Sequence, residues 1–422
     1  MIDNNFLNRF PVSRDENRKV KYGNSESLDA FHRLRISQPE SIFDCKQLYD
    51  NAPLLFDDAE ISGSGTSSSH STDTASTTLS VSATTAGERA RQTFRRFNYQ
   101  PGKSQQIMIT FVLDKSGGGS GINRKVGFFD DNNGIFLHDD EGIYKIVRRT
   151  KVTGSVVDNE VSQSSWNLDK LDGTGESGKT IDFSKSQILC IDFQWLAVGR
   201  VRTGFSIDGE LIYFHEFLNA NSLSVAYMST PNLPVRYSIE NDGTGAVSSI
   251  ETICCAVISE GGIQDFGQIR YFSTDGTHIE ATTSGTIYAI VGIRLKTTHL
   301  SAHVELKKIS LINATAADYE WLLILNPTVA SAITFSDQTN SCVQTGTGNS
   351  GDPSTSTLTG GIHLSGGYVK SGGSSGSIID IVPSLINLGA KIDGTRDEIY
   401  LSVKPLTNGS NINGGFQWRE MF

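Results

Sequence analysis

VGRVRTGFSIDGELIYFHEF, residues 198–217, decides the fold class. Val201, Thr203, Phe205 and Ile207 alternate with Arg202, Gly204 and Ser206, the period-2 pattern of a strand with one buried face. Asp208-Gly209 follows, and then a second apolar run, ELIYFHEF. A two-residue Asp-Gly between two such runs predicts a β-hairpin, because the type I′ turn needs positive φ at both central residues. The same signals recur on both sides. Ile107, Ile109, Phe111 and Leu113 alternate along one segment, and Leu189, Ile191, Phe193 and Trp195 along another. Val126–Asp130, Ile135–His138 and Ile143–Arg149 are short runs separated by Asp/Asn/Gly turns, a meander of hairpins. Val235, Tyr237 and Ile239 predict another strand, as do Ile253, Cys255 and Val257. Sustained 3.6-residue periodicity is absent, so the reading is all-β.

After SEGGIQDFG (259–267) the pattern restarts. Ile287, Ala289, Val291, Ile293 and Leu295 share one face, and Val304, Leu306, Ile309 and Leu311 follow. WLLILNP (321–327) reads as a buried strand stopped by Pro327, and further strands are predicted at 362–369, 378–382 and 399–403. FQWR (416–419) alternates again, so the C-terminus is expected to be a tied-down strand. Residues 62–75 and 344–361, rich in Gly, Ser and Thr, are expected to be loops, the first leading into a thin strand with Leu79, Val81 and Ala83 inward. The predicted architecture is two β-sandwich domains, jelly-roll or lectin-like, over 41–262 and 263–422, behind an extended N-terminal arm over 1–40. Each domain is long enough to bury a core of its own.

Composition agrees and excludes alternatives. The 422 residues are 37% hydrophobic and 9% aromatic, with 21 Phe and 12 Tyr, enough to build cores rather than a disordered chain. Gly is frequent, 42 residues, but without the three-residue period of collagen. A net charge of −10 makes a poor nucleic-acid binder, since phosphate contacts need a surplus of Lys and Arg. Five cysteines, two of them adjacent at Cys254 and Cys255, are not a disulfide framework, so reduced thiols and assembly in a cytoplasm are expected. No apolar leader opens the chain and no run of about 18 apolar residues is present, so neither a signal peptide nor membrane insertion is expected. In the arm, Leu28, Phe31, Leu34 and Ile36 form an apolar patch, which fits a short helix or an extended docking segment equally, on an arm that is either a tail or an anchor.

Motifs that would carry chemistry fail their context. GTGESGKT (173–180) fits the P-loop string at Gly173, Gly178, Lys179 and Thr180. The mechanism requires a strand before the loop and a helix after it, whereas polar SSWNLDKLD precedes it and strand-patterned IDFSKSQILCIDFQW follows. DDNNGIFLHDDEG (130–142) is no EF-hand, because Gly134 at loop position 6 would put Phe129 at position 1. A calcium-binding loop of another type stays open beside plain turn chemistry. No HExxH and no CxxC is present, and no G-x-S-x-G elbow stands on a strand-to-helix turn, so no metal, no cofactor and no catalytic residue is assigned. ERARQTFRRFNYQ (88–100) places Arg89, Arg91, Arg95 and Arg96 among Phe94, Phe97 and Tyr99, and is read as a strand with rings inward and arginines outward. Trp195 and Trp321 are expected in cores. Trp166, in a polar stretch, is the candidate sugar-stacking platform.

Longer strings carry a resemblance. DAFHRLRISQPESIFDCKQLYDNAPLLFDD (29–58), SGSGTSSSHSTDTASTTLSVSATTAGERARQTFRRFNYQPGKSQ (62–105), GFFDDNNGIFL (127–137), YMSTPNLPVRYSIEN (227–241), VGIRLK (291–296), LILNPTV (323–329) and FQWRE (416–420) resemble a family of virion structural proteins of tailed phages, especially aquatic and cyanobacterial ones, as does the opening hairpin. The resemblance covers nearly the whole chain after residue 28. It implies a non-enzymatic virion component, a tail, neck or head fibre or a capsid-surface protein. Such a protein would dock on other virion proteins by its arm, form a homo-oligomer, a trimer being favoured, and contact a host surface glycan. It assigns no catalytic residues. The alternative from the residues alone is a carbohydrate-binding β-sandwich module.

Overall fold

The computed structural model describes residues 12–14, 20–22, 37–264, 266–315, 317–331, 333–370, 377–380 and 387–421. These residues form strands, loops and two 3-10 turns, Gln163–Ser165 and Pro353–Ser356, with no α-helix among them. The opening hairpin forms as its turn chemistry requires. Val201–Ile207 pairs antiparallel with Glu210–Phe217, Ile207 opposite Glu210, with Asp208 at φ +54° and Gly209 at φ +81°. A bulge between Thr203 and Gly204 turns the register once within the hairpin.

The first sandwich packs two antiparallel sheets. One runs in the order Val157–Ser162, Ile143–Thr150, Gly134–Asp140, Ile122–Phe129, Val235–Asn241, Gly87–Thr93, Phe56–Gly63. The other runs Glu210–Phe217, Val201–Ile207, Gln187–Phe193, Ser104–Ser116, Ser248–Glu260, Ser76–Val81, Thr66–Ser71. The long strand Ser248–Glu260 pairs with Ser76–Val81 through its first half and with Pro39–Lys46 through its second. Rings from both sheets meet between them, as Phe128 and Phe193 do at 5.8 Å between centroids.

The second sandwich faces a sheet of Gln268–Ser273, Ser410–Met421, His303–Asn313 and Ser377–Asp380 against one of Thr328–Val329, Thr357–Thr359, Ile287–Leu295, Glu398–Pro405, Tyr319–Leu325 and Ile362–Val369. The C-terminus is tied down as the centre of the former sheet, with Ser410–Met421 between Gln268–Ser273 and His303–Asn313. The larger sheet is covered on both faces. Val291, Leu323 and Leu401 point into the main core, while Ala289, Leu322, Ile324 and Tyr400 pack under Ile333 and Phe335. The main core of the first sandwich draws on residues between Cys45 and Val257, that of the second on residues between Ile279 and Trp418.

Two expectations are corrected. Residues 62–75 are largely strand: Phe56–Gly63 runs to its end there, and Thr66–Ser71 pairs with Ser76–Val81. Thr66–Ser71 is a sheet edge with neither face fully buried, so it needs no apolar alternation and shows none. Within 344–361, Val343–Thr347 pairs with Ile287–Leu295, and Thr357–Thr359 is a further short strand. At the N-terminus Val12–Arg14 pairs with Val20–Tyr22. The arm residues Leu28, Phe31, Leu34 and Ile36 lie outside the described residues. The five cysteines are free thiols.

Candidate functional site

The chemistry-bearing strings first noticed turn out to be structural. GTGESGKT is a β-loop closed by the Asp172–Thr180 bridge and by Gly173 N–H donating to Lys179 O at 3.0 Å. No helix follows, and Lys179 Nζ reaches Asp208 at 2.6 Å, which holds that exposed ammonium above and the carboxylate below their usual ranges. In 130–142 the four aspartates are already engaged. Asp130 Oδ1 accepts from Asn132 N and Asn133 N, Asp131 pairs with Arg236, Asp139 with buried Arg124, and Asp140 with Lys145. Among the described residues no three His, Cys, Asp or Glu side chains converge to hold a metal.

Trp166 is corrected as a stacking platform. It is only 3% exposed, its ring lies 4.1 Å from that of Phe214, and Nε1 donates to Val161 O at 3.1 Å. Its polar sequence neighbours face solvent while the indole turns inward. The arginine cluster is corrected as well. Arg91 is fully buried, its guanidinium 4.4 Å over the Phe56 ring, 3.7 Å from Asp58 Oδ2 and donating to Asn51 O. An ion pair, a carbonyl and a ring face together make that burial tolerable.

What the sequence left scattered, the structure gathers along the seam between the sandwiches. The segment joining Gly87–Thr93 to Ser104–Ser116 turns at Pro101-Gly102 and meets the linker leaving Ser248–Glu260, where Gly261 at φ +136° and Gly262 at φ +73° reverse the chain. Gln100 and Gln264 exchange hydrogen bonds, Nε2 to O at 2.6 Å and N to Oε1 at 3.0 Å. Lys103 Nζ donates to Gly262 O at 2.7 Å, Asn232 Nδ2 to Ser301 O at 3.1 Å, and Ala390 N to Phe94 O at 3.2 Å.

Two adjoining clefts open on this seam and share Asn98, Gln100 and Met421. The larger, of about 820 Å³, is lined by Tyr99, Pro101, Trp195, Pro231 and Phe266, with the amides of Asn98, Gln100, Asn232, Gln264 and Gln268 at its margin. Trp195 is not a core residue: it is half-buried beyond the end of Gln187–Phe193, its Nε1 donating to Met228 O at 3.2 Å. Its orientation is set by a ring series that runs out from the core. Phe128 meets Phe193, Phe193 meets Tyr99 at 5.7 Å, and Tyr99 meets Trp195 edge-on at 6.4 Å. Phe266 stands 67% exposed.

The smaller cleft, of about 490 Å³, is polar, with Arg95, His303, Glu305, Lys307 and Arg419 in its wall. Glu305 accepts from His303 Nε2 at 3.0 Å and Arg419 Nη2 at 2.5 Å, and pairs with Lys307 Nζ at 3.0 Å. Burial alone would raise its carboxyl, but these donors outweigh it and push it down to about 2. Burial holds the His303 imidazole below its ordinary range against the pull of Glu305, so it is neutral, with Nε2–H as the donor. A carboxylate kept this firmly ionised is the opposite of a proton donor for glycosidic cleavage. The signal for the seam was the pattern restart after residue 259, since segments bordering a restart are where two cores meet. Nothing local distinguished Arg95 or Trp195.

No protein-family profile and no curated protein matches the chain. Among solved structures, the carbohydrate recognition domain of Emp47p is 10% identical over 53% of this chain and 97% of its own, with a TM-score of 0.33. The legume lectin-like domain from Entamoeba histolytica is 9% identical over 53% and 99%, TM-score 0.32. The CBM2 module of the evolved Dit of Lactobacillus casei BL23 phage J-1 is 6% identical over 55% and 100%, TM-score 0.33. Similarity this low transfers no function.

Proposed function

We propose that the chain is a non-catalytic glycan-binding protein whose saccharide site is the apolar cleft of the seam. The observation that carries this reading is the pairing of aromatic surface with amides. A pyranose offers an apolar C–H face and a rim of hydroxyls, each both donor and acceptor. Trp195 and Phe266 supply flat apolar surface, and the side-chain amides of Asn98, Gln264 and Gln268 supply groups that both donate and accept, those of Gln100 and Asn232 being engaged in the seam. A cleft of about 820 Å³ at a domain junction, mostly apolar with a few polar groups, is the usual form of a small-ligand site.

The setting we propose is a virion, as a peripheral fibre or surface component. This rests on the resemblance of those strings to tailed-phage structural proteins. Weak single-site glycan affinity suits such a role, because a homo-oligomer, a trimer for preference, multiplies it into avidity. The test of the binding site is Trp195→Ala on the full chain, read by glycan array and calorimetry beside a melting profile. Binding should weaken about tenfold or more while the melting profile keeps its shape, since stacking surface is lost at the margin of the core. Unchanged binding would remove the cleft from the reading.

A further inference from the structure

Arg95 is a half-buried cation without a carboxylate of its own. It lies in the wall of the polar cleft, where burial lowers its guanidinium from the ordinary arginine range and only Glu305 pulls it back. Of its donors, Nη1 reaches Ile42 O at a long 3.4 Å, and Nε is buried with no partner. The Phe97 ring, 5.7 Å from the guanidinium carbon, adds a weak cation–π contact. Glu305 does not ion-pair with it directly, being already bound to His303, Lys307 and Arg419. Taking a guanidinium out of water without hydrogen-bonding its planar fork is costly, and an oxyanion entering the cleft would offset part of that cost at the Nη end, the enclosed Nε being out of its reach.

We propose that Arg95 is the anchor for the carboxylate of an acidic sugar, so that the glycan-binding seam is selective for uronate-type saccharides. The inference rests on the glycan reading above and deepens it. The two clefts adjoin through Asn98, Gln100 and Met421, which gives a chain of sugars stacked over Trp195 a path into the polar cleft. A planar carboxylate matches the guanidinium fork, and a charge-assisted pair in a partly dry cleft is stronger than one at the surface. Of the other charges in that wall, Glu305 is compensated by Lys307 and Arg419, whereas Glu40, whose Oε2 accepts from Ile263 N at 2.9 Å, keeps its charge, which the Arg95 pair has to outweigh.

The experiment is calorimetric titration of the full-length protein with galacturonate, alginate and hyaluronan oligosaccharides, each beside its carboxyl-methyl ester. At least one acid should bind about tenfold or more tightly than its ester. Arg95→Gln should remove that preference while leaving ester binding in place. Arg95→Lys, which keeps the charge but not the fork, should restore part of it. Melting profiles of both variants confirm folding. Equal affinity for acid and ester, or a preference that survives in Arg95→Gln, overturns the anchor and leaves the glycan site standing. Binding of neither acid nor ester overturns the anchor together with the glycan reading. Inorganic phosphate at millimolar concentration should not displace the acid. If it does, the cleft holds free oxyanions and the sugar assignment falls.

Discussion

The two sandwiches are built from the same element, an antiparallel strand, but filled differently. The first is packed with rings in series: Phe97 on Phe128 at 6.3 Å, Phe205 on Phe214 at 5.1 Å, and Tyr144 on Phe183 at 4.1 Å. It also buries whole guanidinium groups, Arg91 against Phe56 and Arg124 against Asp139. The second is mainly aliphatic, with Ile290, Ile293, Leu323, Leu401 and Val403 at its centre, and one of its sheets is covered on both faces. The difference bears on function. Rings have reach and a flat face, so the series that fills the first core continues outward to Trp195 and becomes the floor of a cleft. The aliphatic core ends where its strands end, and apart from Met421 its strands contribute polar groups to the seam: His303, Glu305, Lys307 and Arg419.

If the two cores are separate units, the largest effects will separate them. Phe128→Ala should cost about 3–5 kcal/mol and Leu401→Ala about 2–5 kcal/mol, each by leaving a cavity. Scanning calorimetry should show each lowering a different transition. Both variants moving one common transition would mean that the seam couples the sandwiches into one cooperative unit.

Acid should sharpen the contrast at smaller amplitude. Burial pulls His138, with Lys125 adding to it, and His215 from 6.5 to about 4 in the folded first sandwich. Between those values the unfolded chain binds protons that the native chain does not, so stability falls as pH drops through about 6.5 to 4. His303 adds the same sign in the second sandwich. Glu305 acts lower: its folded value of about 2 against 4.5 gives stability that is present above 4.5 and lost as pH falls toward 2. Melting profiles from pH 7 to 3 should show the first transition softening between pH 6.5 and 4, and His215→Gln should lessen that loss. A first transition flat across this window would mean that these imidazoles already titrate in the native state.

The smallest effect is expected at the P-loop string. Lys179→Ala should leave both transitions within a degree or so, because an exposed pair with Asp208 contributes little. The unaltered protein should give no signal with a fluorescent ATP analogue. Binding that the substitution abolishes would return the loop to the list of sites.

Much of the architecture was legible without coordinates. Alternation identified strands such as Ser104–Ser116 and Glu398–Pro405, because a period of two is a local property of an extended chain with one wet face. Asp208-Gly209 placed a hairpin to the residue, because a two-residue turn has few solutions. Thr66–Ser71 was misread because an edge strand can be polar on both faces. The site was not legible at all. Arg95, Trp195, Phe266 and His303 are distant in sequence and belong to different elements, and each has an ordinary local pattern. Whether an arginine points to water, to a carboxylate or into a cleft depends on which strand ends a second domain brings against it. Trp166 and Trp195 show the same limit in opposite directions, the one in a polar stretch yet buried, the other in an apolar pattern yet at the cleft. The sequence by itself determined the apolar strands, their turns and the two cores, since those follow from short-range sterics and from apolar periodicity. Only the tertiary structure decided which half-buried charge lacks a partner and which ring faces a cavity, since desolvation and stacking are set by long-range neighbours that no local pattern records.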